Sequence, residues 1–186
     1  MNAEREADFY DEALHNPRHA SWLPLTDTPY RPLFEATARL IPDDLDVVEL
    51  GCGTGRLAAL IAPRMRSYVG LDFSARRLEE ARRYAPGLDF RLADLRTDPI
   101  PPAGLYVANE VLEHLTDDLG LLRRLPSGSQ VVLSVPSFDS EAHIRCFQVW
   151  GEARARYAPL LDIDHADQVG HGRAGRFFHV IRGLVR

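Results

Sequence analysis

The stretch Val47-Val48-Glu49-Leu50-Gly51-Cys52-Gly53-Thr54-Gly55-Arg56-Leu57 decides the fold of this chain. Two β-branched residues lead into an acid, three glycines follow at alternate positions, and a helical pattern begins at Arg56. Alternate glycines let the backbone turn tightly and let a ligand lie close to the main chain. The helix behind them aims its free N–H groups at the same spot. The stretch reads as strand, loop and helix around a nucleotide-like ligand.

Outward from it the chain alternates. Strands are expected at Asp46–Leu50, Ser67–Asp72, Leu88–Ala93, Leu105–Ala108, Gln130–Val135, Leu160–Asp164 and Phe177–Leu184. Helices are expected at Tyr30–Leu40, Arg56–Pro63, Ser74–Tyr84 with Ser74 as N-cap, Thr116–Leu125, and about Glu141 to Tyr157. Seven strands alternating with helices specify an α/β fold: an open, mostly parallel, Rossmann-like doubly wound sheet in a three-layer αβα arrangement. Its ligand belongs in the crevice beyond the carboxyl ends of the strands, where the glycine loop lies. Residues 1–28 read as an N-terminal helical flap, with a helix around Ala3–His15 and the aromatics Phe9, Tyr10 and Trp22. Residues 29–186 read as a single domain.

Composition narrows the class. Apolar residues at 45% and charged residues at 26% are those of an ordinary globule. No run approaches the ~20 apolar residues that cross a bilayer, and Met1-Asn2-Ala3-Glu4-Arg5-Glu6 is too acidic and polar for a secretory signal. Cys52 and Cys146 have no zinc-ligand spacing and make no disulfide framework, so a reducing cytoplasm is the expected location. The net charge is −5, all 22 basic residues are arginine, and these arginines alternate with acids rather than forming a stripe. That pattern argues against a nucleic-acid substrate.

The residues at successive strand ends sharpen the ligand. Asp72 closes the second strand, where a carboxylate accepts hydrogen bonds from two ribose hydroxyls. Asp94 follows the third, within reach of an adenine amino group, and Asn109-Glu110 closes the fourth. One acid at a strand end is often only a turn former or helix cap. Acids after strands one, two and three together describe an adenosine site.

On these residues the chain resembles the class I S-adenosylmethionine-dependent methyltransferases. Glu49-Leu50-Gly51-Cys52-Gly53-Thr54-Gly55 is similar to their first motif, Gly70-Leu71-Asp72-Phe73-Ser74 to the second-strand motif, and Leu92-Ala93-Asp94-Leu95 to the third. Asn109-Glu110-Val111-Leu112-Glu113-His114-Leu115 resembles the segment after strand four in small-molecule members. The resemblance runs from about residue 30 to 186 and implies the strand order 3-2-1-4-5-7-6, with the last strand antiparallel. It implies that Gly51, Cys52 and Gly53, with Gly55 behind them, line the methionyl part of S-adenosylmethionine, and that Glu49 organises the loop. Asp72 then takes the ribose, Phe73 flanks the adenine, and Asp94 with the Leu95 backbone reads the adenine edge. Asn109 belongs to the same cofactor set. A sulfonium cofactor carries no phosphate, in keeping with a glycine loop that lacks lysine.

The reaction expected is in-line displacement at the activated methyl, for which the protein supplies orientation and exclusion of water. No strong base declares itself. Of seven scattered histidines, His143 lies nearest the expected acceptor pocket, and Tyr10 of the flap is its rival. Glu110-x-x-Glu113-His114, spaced i, i+3, i+4, offers a metal set on one helical turn, though no metal is expected, since such clusters are more often structural. Asp162-Ile163-Asp164-His165 and His171 are assigned to a polar loop. The leading reading is methyl transfer to a small-molecule acceptor. A metal-assisted RNA 2′-O-methyltransferase using Glu110, Glu113 and His114 is one alternative. A non-catalytic cofactor-binding partner subunit is the other. The acceptor and the oligomeric state stay open.

Overall fold

The computed structural model describes residues 3–13, 23–172 and 174–186. Among these, the elements follow in the order α1 (Ala7–Ala13), α2 (Arg31–Leu40), β1 (Asp46–Leu50), α3 (Arg56–Ile61), β2 (Ser67–Asp72), α4 (Ala75–Tyr84), β3 (Asp89–Leu92), β4 (Leu105–Asn109), α5 (Asp118–Arg123), β5 (Gln130–Pro136), α6 (Trp150–Tyr157), β6 (Leu161–Gly170) and β7 (Phe177–Val185). The strands form one sheet in the order β3-β2-β1-β4-β5-β7-β6. β1 to β5 run parallel, and β7 runs antiparallel to both β5 and β6. This is the order expected.

The inner strands are buried on both faces, unlike the edge strands β3 and β6, and alternate side chains feed two cores. Val47, Tyr68, Phe90, Leu105, Val107 and Val132 face α2, α3 and α4, meeting Leu33, Leu57, Ile61 and Leu78. Val48, Leu71, Tyr106, Ala108, Val131 and Leu133 face α5 and α6, meeting Leu121, Leu122, Ala153 and Tyr157. A parallel sheet covered on both sides reads as near-continuous apolar runs, as these strands do. Ser74 caps α4 as anticipated, its hydroxyl accepting from the Arg77 amide at 3.0 Å.

Three expectations fail for physical reasons. The helix placed from about Glu141 is present only over Trp150–Tyr157. The amides upstream are committed elsewhere: Ile144 and Arg145 donate to the Glu113 carbonyl and Phe147 to that of Pro136, so no helical ladder forms there. The strand expected at Leu160–Asp164 is present but runs on to Gly170, so His165, assigned with its neighbours to a polar loop, lies in β6. A register shift between Ile163 and His165 breaks the period of two that marks a strand. Of the proposed N-terminal helix only Ala7–Ala13 is helical among the described residues; His15, His19 and Trp22 lie outside them. No helix among the described residues is long and apolar enough to cross a membrane.

One buried polar knot ties the second core to its helices. Asp118, fully buried at the start of α5, accepts from Arg156 at 2.7 and 2.5 Å and from the Tyr157 hydroxyl at 3.1 Å. Tyr157→Phe removes one bond to a buried carboxylate without changing shape. It should cost about 2 kcal/mol of unfolding free energy, measured by urea denaturation, with the midpoint falling and the slope unchanged.

Candidate functional site

The glycine loop leaves β1 and is held from below by β2. The Gly51 and Cys52 amides both donate to the Leu71 carbonyl, at 2.8 and 2.9 Å. Asp72 closes the frame, its carboxylate accepting from the Gly53 amide at 2.8 Å and from the Ser74 amide at 2.9 Å. Gly51 is required where it stands: its φ is +71°, and a Cβ would come within 2.5 Å of Val111 Cγ2. Gly55 lines neither of the cavities described next, against the expectation for it. It caps α3, and a Cβ there would lie 3.1 Å from that of Ala81 on α4.

Two adjoining cavities open at the carboxyl ends of the strands. The first is lined by Asp72, Phe73, Asp94, Leu95 and Arg96 together with Glu4 and Arg5 from the N-terminal segment. The second is lined by Glu49, Cys52, Gly53, Asn109, Glu113 and His143, among others. Tyr10, Gly51, Arg77, Glu110 and His114 line both and so form the boundary. Asn109 is therefore on the far side from the adenosine residues. Its Oδ1 accepts from Thr37 at 3.1 Å while its buried Nδ2 has no hydrogen-bond partner among the described residues.

The expected cofactor residues differ in how free they are. Asp94 is gripped by Arg96, whose Nε and Nη2 reach its oxygens at 2.8–3.0 Å, and this holds its carboxyl below the usual range. Arg96 also bonds both oxygens of Glu6 at 2.9 Å. The Leu95 carbonyl accepts from Arg124. Burial raises the Asp72 carboxyl, while Arg77 and the Gly53 and Ser74 amides oppose the shift. Burial pushes the Glu49 carboxyl up to about 8; its Oε2 accepts from Tyr68 at 2.5 Å. Cys52 is buried and its thiol pushed far up by that burial, which makes it a packing residue rather than a nucleophile.

The N-terminal segment lies over the first cavity. Tyr10 sits 5.5 Å from the Phe73 ring and 5.6 Å from that of His114, with the Arg77 guanidinium 5.3 Å over its face. Burial raises its phenol to about 12, so Tyr10 is a hydrogen-bond donor and not a base. Arg5 pairs with Glu141 at 3.1 Å, and the Thr116 amide donates to Glu4. Arg77, Arg96, Glu4 and Arg5 line the cavities and were missed by sequence reading, with Glu6 bonded behind Arg96. The i, i+2 pair Asp94–Arg96 was the one local signal for them.

The block after β4 is arranged differently from the one helical turn expected. Glu110 takes a left-handed backbone with φ +54°, and a 3₁₀ turn at Leu112–His114 follows. Left-handed non-glycine residues persist only when their surroundings hold them. Here Ser134 of β5 does so, through its hydroxyl and carbonyl to the Glu110 amide and its hydroxyl to Oε1. The reversal still brings the Glu110 and Glu113 carboxyls together. Burial raises both, and their mutual proximity raises Glu113 further. His143 arrives from the β5–α6 loop and joins Glu113 and His114, the three offering ligand atoms within 4.8 Å of one another.

The raised Glu49 carboxyl gives stability a pH dependence. Its proton is held to about pH 8 in the folded chain against an ordinary value of 4.5. The folded state thus binds more protons through that window, and stability falls as pH rises across it. Glu49→Gln keeps an acceptor for Tyr68 and removes one titration. Denaturation curves between pH 5 and pH 8 should therefore differ from wild type by the loss of this falling contribution, against a common background from Asp72, Glu110 and Glu113 and, with opposite sign, from the buried His114, His143 and His179.

Known proteins resemble this chain in both sequence and fold. A family model described as "Methyltransferase domain" matches residues 47–125, from β1 to the turn after α5. The trans-aconitate 2-methyltransferase of Methylobacterium nodulans is 35% identical over 142 residues, covering 72% of this chain and 55% of that protein. The chain thus spans about half the length of the curated relatives it matches. Among solved structures, the N-methyltransferase NodS from Bradyrhizobium japonicum, in complex with S-adenosylhomocysteine, superposes with a TM-score of 0.71 at 18% identity, covering 95% of this chain and 97% of that one. The [4+2]-cyclase SpnF also scores 0.71, at 13% identity over 99% and 98% of the two chains. With its sheet order, its glycine loop bolted to Asp72 and the sequence likeness through α5, the chain belongs to the class I S-adenosylmethionine-dependent methyltransferase family.

Proposed function

We propose that this chain transfers the methyl group of S-adenosylmethionine to a small-molecule acceptor by in-line displacement. The observation that carries this reading is the pair of cavities meeting at Gly51. An adenosine in the first, against Asp72 and Phe73, leads its methionyl part past Gly51 toward Glu49, Cys52 and Gly53 in the second. The sulfonium then lies at the boundary, beside Glu110, with its methyl directed into the second cavity. The absence of a Cβ at Gly51 leaves the room this passage needs, and buried carboxyl groups around it suit a cationic sulfur. The SpnF likeness is a reminder that the fold alone does not dictate methyl transfer.

The acceptor is where this chain parts from its relatives' printed names. The second cavity presents five glutamates (Glu12, Glu49, Glu110, Glu113, Glu141) against two arginines (Arg56, Arg77). Burial holds Glu49, Glu110 and Glu113 protonated, so Glu12 and Glu141 balance the two arginines and the cavity has no net positive charge to gather a polycarboxylate such as trans-aconitate; the net −5 of the chain opposes RNA. The N-terminal segment acts as a lid in this reading, excluding water from the reacting methyl.

Titration calorimetry with S-adenosylhomocysteine tests the cofactor half. Wild type should bind it, and Asp72→Ala should lose at least about tenfold in affinity, the equivalent of one pKd unit. A folded wild-type chain with no affinity would overturn the proposal. The lid has its own test. Removing residues 1–13 takes away Glu6, Tyr10 and their contacts to Arg96 and Phe73. It should weaken S-adenosylhomocysteine binding several-fold while leaving the far-ultraviolet circular dichroism per residue nearly unchanged. Unchanged affinity would show that the segment is no lid.

A further inference from the structure

The methionyl arm of S-adenosylmethionine ends in an ammonium and a carboxylate, and in the pose proposed above it passes Glu49, Cys52 and Gly53. A carboxylate entering a partly buried crevice needs donors and a cation. The glycine loop has few donors to give. The Gly51 and Cys52 amides donate to the Leu71 carbonyl, that of Gly53 to the Asp72 carboxylate, and that of Gly55 to the Cys52 carbonyl. The side chains nearest the loop, Glu49 and Asp72, are acids. Without lysine in the chain, the cation falls to arginine.

Most arginines at the two cavities are engaged elsewhere. Arg5 pairs with Glu141, and Arg96 with Asp94 and Glu6. Arg56 donates through Nε to the Leu23 carbonyl at 3.0 Å, and its guanidinium lies 3.7 Å over the Tyr84 ring. Arg77 differs. It lines both cavities, and its Nη1 stands 3.8 Å from the point that a Cβ on Gly53 would occupy. The guanidinium thus lies against bare loop backbone where the arm passes. Its place there is fixed by a chain of hydrogen bonds. Asp72 binds the Gly53 and Ser74 amides, and the Ser74 hydroxyl accepts from the Arg77 amide at 3.0 Å. The charge is not neutralised in return. Among the described residues Arg77 makes no ion pair, its Nη2 reaches only the Tyr10 carbonyl at 3.5 Å, and its buried Nε has no hydrogen-bond partner. A buried charged donor without an acceptor is costly, and an anion set against it removes that cost.

We propose that Arg77 receives the α-carboxylate of the cofactor's methionyl arm, and that through it the chain selects nucleosides with a complete amino-acid arm over those lacking the carboxylate. The planar guanidinium fork matches a carboxylate with paired N–H donors. The Tyr10 ring lies 5.3 Å from the same guanidinium and 5.5 Å from Phe73. The N-terminal segment that covers the adenosine side therefore also backs the cation that holds the far end of the cofactor. This inference rests on the methyl-transfer reading for the ligand it names.

The test is titration calorimetry on the full chain with two ligands: S-adenosylhomocysteine, and S-adenosyl-3-thiopropylamine, which is the same molecule without its carboxylate. Wild type should bind S-adenosylhomocysteine tighter by about tenfold or more, the worth of a hydrogen-bonded charge. Arg77→Met keeps the apolar stem and should abolish that preference, weakening S-adenosylhomocysteine while leaving the thiopropylamine essentially unchanged. Arg77→Gln takes its place if the methionine variant fails to fold. Equal weakening of both ligands would make Arg77 a support for Tyr10 and the lid, and would overturn the assignment. So would a variant that keeps the wild-type preference. Either result leaves the methyl-transfer reading standing, whereas a folded wild type that binds neither ligand removes that reading and this assignment with it.

Discussion

The Asp72 carboxylate is the fixed point of this molecule. With one oxygen it accepts from Gly53 in the loop after β1, and with the other from Ser74 at the head of α4. The loop after β1, the end of β2 and the head of α4 are thereby joined by one buried acid. The interaction holds the glycine loop in its left-handed turns at Gly51 and Gly53. Because the acid is buried, the bonds act with little competition from water, and the same burial raises its pKa.

Charge is arranged around this point in two layers. Over the first cavity, acids and arginines alternate and neutralise each other: Asp94, Arg96 and Glu6 form a chain that links the sheet to the N-terminal segment. Below and beside the second cavity, carboxyl groups at Glu49, Glu110 and Glu113 are buried with too few donors, and burial holds all three in the protonated range. A protein does not keep three such groups at one crevice for stability, since each would be more stable paired or replaced by an apolar residue. In the methyl-transfer reading proposed above they stand beside the sulfonium and answer the positive charge that the ligand brings.

The His143 segment illustrates how such a site is assembled. The stretch between β5 and α6 gives up helical hydrogen bonding and binds the 3₁₀ turn after β4 instead, through the Ile144 and Arg145 amides and the Arg145 side chain. Glu110 takes a strained backbone to face the same way, held by Ser134. Both departures from regular structure occur at the carboxyl ends of neighbouring strands β4 and β5, where a doubly wound sheet opens.

What the sequence determined alone was everything governed by local periodicity: the glycine loop, the alternation of apolar strands with amphipathic helices, and the acids at the strand ends; the sheet order came only through the family resemblance that those motifs carry. Those features depend on residues a few positions apart, so Glu49, Gly51, Asp72 and Asp94 were legible without coordinates. Tertiary structure decided the rest. That Arg96 occupies Asp94, that Asn109 falls in the second cavity, that Gly55 serves helix packing, and that His143 meets Glu113 and His114 all depend on contacts between segments far apart in the chain. The helix expected from Glu141 failed for the same reason. Its amides found better acceptors across space than along the chain, and no local pattern records a bond whose partner is distant in sequence.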